Sequence, residues 1–311
     1  MIQCFRTWTA LPIPFGMILV GILSGLAQAQ EAGDTPATPA PLPVSPAAGG
    51  PPVDAKDASE EGAELSFERV DPEELVAKAF EAPEGAVQLS KKGRLWVDKK
   101  GGQVLVDGYV AMTRGMLEMF ACPAGTKEHE SVVAVLARSR DVHTALLAVG
   151  AQSGTPVRYV PKFVPPTGQA IQIWVMWFDK EGKLHKKDAR EWIFKTGTKK
   201  TMQENWVFAG SQFWKDPATG ESHYEADSGD MICVSNFGSA MLDVPVLSSK
   251  ENASLQYSAA EGNVPPEMTP VRLVLIPIPL PSDKPQPLPE GKADASVPPA
   301  DKWLKKAVPA Q

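Results

Sequence analysis

Apolar and polar positions alternate with a period near two over most of the middle of the chain, the signature of strands half buried on a sheet. Arg94 to Asp98 and Gln103 to Met112 are two such runs, and Lys99-Lys100-Gly101-Gly102 between them predicts a hairpin. Ile171 to Phe178 is apolar on both faces, which predicts a central strand covered on both sides. Asp179-Lys180-Glu181-Gly182 then turns the chain towards a run from Lys183 to Lys195. Asn205 to Trp214 and Ser222 to Ala226 flank a turn at Asp216-Pro217-Ala218-Thr219-Gly220, and Met231 to Ser235 and Val271 to Ile276 are shorter strands.

Two segments break this period. Asp71-Pro72 followed by Glu73, Glu74 and then Leu75, Val76 and Phe80 predicts a helix with an aspartate cap and a first-turn proline. Val142, Leu146 and Val149 form a helical stripe that Ser139 or Asp141 caps and Gly150 ends. The sum is an α+β fold, a mostly antiparallel β-sheet with one or two packed helices, over residues 64–280.

Composition changes the picture at both ends. Residues 30–63 and 281–311 hold seven prolines each of the 30 in the chain, with few large apolar side chains in the first of them. Such segments bury too little surface to offset the entropy of ordering, so both read as disordered arms, the first a linker and the second a tail. The tail carries one basic and apolar patch, Lys302-Trp303-Leu304-Lys305-Lys306, too short for a membrane anchor. Residues 1–29 read as a secretory signal: Arg6 in a short n-region, an apolar run from Leu11 to Leu26, and Ala27-Gln28-Ala29 as a cleavage pattern. The expected location is therefore extracytoplasmic, with no membrane span once the signal is removed. A net charge of −6 over 311 residues argues against a dedicated nucleic-acid binder.

Candidate chemistry concentrates in Cys122-Pro-Ala-Gly-Thr-Lys-Glu-His-Glu130, with His143 shortly after. Cys122 and Cys233 are the cysteines left after signal removal, and in an oxidising compartment they are a disulfide candidate closing a loop of about 110 residues, worth roughly 4–5 kcal/mol. A second reading takes Cys122, His129, His143 and Cys233 as metal ligands of the type zinc accepts, although their spacing matches no standard finger. A third makes Cys122 a nucleophile with His129 or His143 as its base. The remaining reading is structural: an exposed Lys-Glu-His-Glu run that forms a solvated loop, with His143 as hydrogen-bonded filler on its short helix. No cofactor is predicted, and two thiols fall short of the four that an ordinary iron–sulfur cluster takes.

Five of the eight tryptophans lie between Trp174 and Trp214. Packing accounts for most such residues, but Trp206 and Trp214, beside Gly210-Ser211, are candidates for a ligand-binding surface that stacks sugars. Asp227 and Asp230 around Ser228-Gly229 suggest either a calcium loop or a turn capped by its own aspartates, and the twelve-residue calcium pattern is missing.

Four blocks together resemble the YdjY-type domain: Cys122 to Ser131, Val142 to Gly150, Trp206 to Ser211 and Ile232 to Phe237. The resemblance covers most of residues 85–280 and implies the form found in secreted proteins of planctomycete-type bacteria. It implies no catalytic residues. The expected function is a binding or structural module at the cell envelope, with an envelope component or a protein as partner. The alternative is a thiol- or metal-dependent enzyme using Cys122, His129 and His143.

Overall fold

The computed structural model describes residues 71–282 and 287–301. The signal at 1–29 and the linker at 30–63 lie outside the described residues. In chain order the strands are β1 (Val87–Gln88), β2 (Leu95–Asp98), β3 (Gln103–Val110), β4 (Met116–Leu117), β5 (Met119–Pro123), β6 (Ser131–Val135), β7 (Ala170–Phe178) and β8 (Leu184–Asp188). They continue as β9 (Ile193–Lys195), β10 (Trp206–Phe208), β11 (Phe213–Lys215), β12 (Ser222–Tyr224), β13 (Ile232–Cys233), β14 (Leu242–Asp243), β15 (Tyr257–Ala259) and β16 (Pro270–Pro277). The α-helices among the described residues are α1 (Pro72–Ala79) and α2 (Ser139–Ala148).

The expected α+β fold, a mostly antiparallel β-sheet with one or two packed helices, is corrected to a closed barrel. The order β3–β16–β7–β10–β14–β13–β5–β6 returns to β3, so eight strands close a barrel and the fold is mostly β. The pairs β5–β6 and β13–β14 are parallel and the other barrel pairs antiparallel. Alternation within one strand looks the same whether the sheet is open or closed, so the period of two does not reveal closure. The seam does: Gly108 pairs with Val135, and a Cβ on Gly108 would sit 2.1 Å from the Ala134 carbonyl oxygen. Only glycine permits that approach.

β16 shows how sequence fills the barrel. Val271, Leu273 and Leu275 belong to the large core cluster, which also takes Trp206, Phe120 and Phe208 and the α2 residues Val142, Ala145 and Leu146. The alternate residues Val274 and Ile276 face outwards into a second cluster with Trp96, Leu105 and Met176. Arg272, also outward, is fully buried. Its guanidinium grips Asp107 at 2.6 and 3.0 Å, and Arg94 reaches the same carboxylate at 2.7 Å. The two arginines also donate to the carbonyls of Glu81 and Phe80, which fastens the end of α1 to the barrel wall.

Helix α1 forms as expected, with the Asp71 side chain accepting from the Glu73 N–H and Val76 and Phe80 packed under it. Helix α2 is found where its stripe lies, but its cap is Arg138, with no side-chain bond. Ser139 instead donates to the Ala226 carbonyl, and Asp141 pairs with Arg138.

The arm expected to be disordered from 281 onwards is corrected over 287–301. Ala295 enters the outer cluster beside Trp96 and Met176, and the Trp174 indole N–H donates to its carbonyl. The Ala293 N–H bonds the Gly101 carbonyl, and Lys186 holds the Pro299 carbonyl and the Asp301 carboxylate. Prolines suit such a strap, because their fixed φ lowers the entropy lost on ordering.

Candidate functional site

The polar cluster is a loop between parallel neighbours. β5 ends at Pro123, the chain turns at Gly125 with φ of 81°, and β6 starts at Ser131. The loop satisfies its own polar groups. Glu128 accepts from the Gly125 N–H at 2.7 Å and the Tyr109 hydroxyl at 2.8 Å. Ser131 donates to the Lys127 carbonyl. Burial, reinforced by Glu128, pushes the Tyr109 hydroxyl pKa up.

Lys127 is the charged centre of this region. Its ammonium lies 3.0 Å from Asp230, 3.5 Å from Glu130 and 3.9 Å from Glu118, and 4.8 Å from the centre of the Phe237 ring. Burial pulls the Lys127 pKa down, but the Asp230, Glu130 and Glu118 carboxylates together outweigh it and the net shift is upward. Burial and the neighbouring Glu130 raise the Glu118 pKa. The sequence reading did not single out Lys127, Glu118 or this grouping, which is assembled from the residue between β4 and β5, the loop after β5 and the stretch before β13.

The sequence-predicted residues are dispersed. Cys122 is buried, and burial raises its pKa against the neighbouring Ser131, Thr126 and Lys127 backbone, which favour the thiolate. Cys233 is buried among Met119, Ala240 and Phe237, and burial holds its thiol well above the usual range. The two sit on neighbouring strands, β5 and β13, as free thiols. His129 is 77% exposed and lies 3.9 Å from Glu130. His143, half buried on α2, meets the Tyr224 hydroxyl through Nδ1 at 2.7 Å and the edge of Phe208, and Tyr224 donates to the Gly210 carbonyl. Burial lowers the His143 pKa against an opposing bond from Gly210. Cys122, His129, His143 and Cys233 therefore form no ligand set, and no group of three His, Cys, Asp or Glu among the described residues is placed to hold a metal ion.

The calcium reading of Asp227 and Asp230 is also redirected. Asp227 accepts from the Arg140 backbone N–H at 2.9 Å and pairs with its guanidinium, while Asp230 holds Lys127 and the Ser239 hydroxyl.

The two tryptophans part company. Trp206 is 1% exposed, tilted against Phe120, with its indole N–H on the Cys233 carbonyl, so it is core and not a ligand surface. Trp214 is 49% exposed and its neighbour Phe213 is 67% exposed. Both lie on the β11–β12 hairpin, which is paired to neither the barrel nor the three-stranded sheet β4–β15–β9. His223 lies across the hairpin from Trp214, and Phe213 leans on Tyr224.

The YdjY domain model matches residues 95–276, more than half of the chain. The chain belongs to the YdjY domain family. No curated protein and no solved structure matches it. The YdjY match opens on Leu95, the first residue of β2, and closes on Ile276 in β16, so it contains the whole barrel seam. Helix α1, β1 and the strap at 287–301 lie outside it.

The thiols of this YdjY domain are open to a direct test. Neither Cys122 nor Cys233 is expected to react with an alkylating agent under native conditions, because the thiolate is the nucleophile and both thiols are buried with raised pKa values. Intact mass of the protein without residues 1–29, and so without Cys4, is expected to show two added groups after denaturation in alkylating agent. A mass two hydrogens low and no added group would show a disulfide instead.

Proposed function

We propose that this YdjY domain is an extracytoplasmic binding module of the cell envelope whose contact surface is the β11–β12 hairpin. The observation that carries the reading is the pair of exposed rings, Phe213 and Trp214, on a hairpin that is not paired into the barrel sheet and is anchored to it through Tyr224. The barrel interior is packed with side chains, so recognition falls to its rims and projections. An exposed indole offers flat apolar area with one donor, and the polar neighbours His223, Lys215 and Glu225 add hydrogen-bonding groups around it. That chemistry suits the sugar rings of a wall glycan. The signal-like sequence at 1–29 supports the compartment. Nothing in the placement of Cys122, His129 and His143 supports the thiol or metal alternative.

The test is retention of the purified protein on isolated bacterial envelope. The wild type is expected to be retained, and Phe213→Ala with Trp214→Ala to weaken retention by about tenfold or more, as loss of aromatic anchors does. Retention no greater than that of a control protein, or equal retention of the double variant, would sink the reading.

A further inference from the structure

Lys127 and Asp230 are brought together by more than their charges. The lysine stem lies across Gly229, the residue before Asp230: a Cβ there would sit 2.5 Å from Lys127 Cγ and 2.6 Å from its Cδ. Gly229 also has φ of 137°, a conformation that side chains rarely adopt. The backbone at 229 is thus shaped for the lysine to pass over it. At the end of that stem the ammonium faces Asp230 Oδ1 at 3.0 Å. Oδ1 is buried and has no hydrogen-bond partner, so the two groups touch without hydrogen-bond geometry. The other carboxylate oxygen, Oδ2, accepts from the Ser239 hydroxyl. The ammonium also lies against the Phe237 ring, which packs on Met119, Cys233 and Ala240. Glu118 approaches the same ammonium to 3.9 Å.

An amine and a carboxyl group condense to an amide when they are neutral and fixed in contact. In water the pair is charged and its partners must find each other. Folding supplies the contact in advance, and burial disfavours the two charged forms. We propose that Lys127 and Asp230 join in an intramolecular isopeptide bond, with Glu118 relaying a proton. The ammonium passes one proton to Asp230 Oδ1, and the freed amine attacks Asp230 Cγ. A bond forms between Nζ and Cγ, and the bond between Cγ and Oδ1 breaks. Oδ1 leaves as water, carrying that proton and a second one that Glu118 takes from Nζ and returns to the leaving oxygen. Ser239 stays on Oδ2, which becomes the amide oxygen. Burial and Glu130 raise the Glu118 pKa, which makes its carboxyl a readier proton carrier near neutral pH.

The bond ties the loop after β5 to the residues before β13. That is where the barrel ladder is shortest: β13 meets β5 through Ile232 and Cys233 with a register shift between them, and meets β14 through Ile232. The link therefore closes the seam that Cys122 and Cys233, as free thiols on those strands, leave without a covalent tie. It involves no residue of the hairpin, so it stands or falls apart from the envelope reading.

Intact mass and peptide mapping of the purified chain test it. The wild type is expected to weigh one water less than its sequence, and a branched peptide is expected to join Lys127 to Asp230. Lys127→Met is expected to have its full mass. Glu118→Gln is expected to form the bond about a hundredfold more slowly, the usual scale of acid–base catalysis. Lys127 and Asp230 recovered in separate, unmodified peptides of the wild type would overturn the proposal. So would loss of water that persists in Lys127→Met, since Asp230 would then have closed on its own backbone. A bond that forms at the wild-type rate in Glu118→Gln would overturn the proton relay.

Discussion

Asp107→Asn is expected to lower the melting temperature by on the order of 10 °C. The carboxylate is fully buried between Arg272, itself fully buried, and Arg94. Two guanidiniums share one carboxylate, and each also donates through Nη2 to a backbone carbonyl, Arg94 to Phe80 and Arg272 to Glu81, while Arg272 Nη1 is buried without a hydrogen-bond partner. Removing the carboxylate charge leaves Arg272 buried without a counter-charge, a change that costs about 3–5 kcal/mol. In a domain of this size each kcal/mol moves the melting temperature by about 2–4 °C. The guanidiniums also lie over aromatic rings, Arg272 at 4.9 Å from the centre of Phe80 and 5.3 Å from that of Trp96, which softens the loss without replacing the ion pair. A control, Glu74→Gln, removes an exposed i,i+4 pair with Lys78 and is expected to leave the melting temperature unchanged. Thermal unfolding of the two variants side by side makes the comparison; a mild effect at Asp107 would show that the triad is dispensable for the fold.

The second large effect is a pH dependence, and its sign follows from Asp243. Burial pushes its pKa up to about 8, against bonds from the Asn236 side chain and the Val244 N–H that favour the charged form. The unfolded value is 3.8, so the folded protein holds this proton over a wide range where the unfolded chain does not. The resulting stability is fully present below the unfolded pKa and is lost as pH rises through about 8. The slope in that window is roughly 1 kcal/mol per pH unit. Asn keeps an oxygen to accept from Asn236 and Val244 and never ionises. Asp243→Asn is therefore expected to unfold at a nearly equal temperature to wild type at pH 4 and several degrees higher at pH 8. Parallel melting curves across that range, with no divergence, would refute a raised pKa at this site. Glu118, raised by burial and Glu130, adds a slope of the same sign to both proteins, which is why the difference between them isolates Asp243.

Local signals in the sequence mapped onto local structure. Asp71-Pro72 and the Lys99 to Gly102 turn are written within a few residues of what they control, and α1 and the β2–β3 hairpin appear where they predict. What escaped was non-local. β5 ends inside the Cys122 to Glu130 run, at Pro123, and β6 begins just after it, so reading that run for chemistry hid two short strands. The closure of the barrel depends on Gly108 meeting Ala134, a contact no periodicity encodes. Trp206 sits in the apolar run Trp206-Val207-Phe208-Ala209, which already marks a covered strand, whereas Phe213 and Trp214 adjoin the charged turn that ends their strand. Neighbouring strand residues point to opposite faces, so two exposed neighbours require a hairpin uncovered on both sides. The tail misled for a different reason: a proline-rich segment lacks the pattern of a ladder, yet small alanines and a few backbone bonds hold it.

β16 is the last strand of the barrel in sequence and sits between β3 and β7, pairing with both. The order of assembly is thereby constrained. β3 has no neighbour on that side until a partner from more than 150 residues downstream arrives, and β7 likewise lacks one along most of its length. A nascent chain emerging from a ribosome presents open edges until residue 277 is available. Closing such long loops before their contacts reward them makes folding slow, in the range of milliseconds to seconds or longer. The domain is thus built to fold after its synthesis is complete, with insertion of its final strand as the committing step.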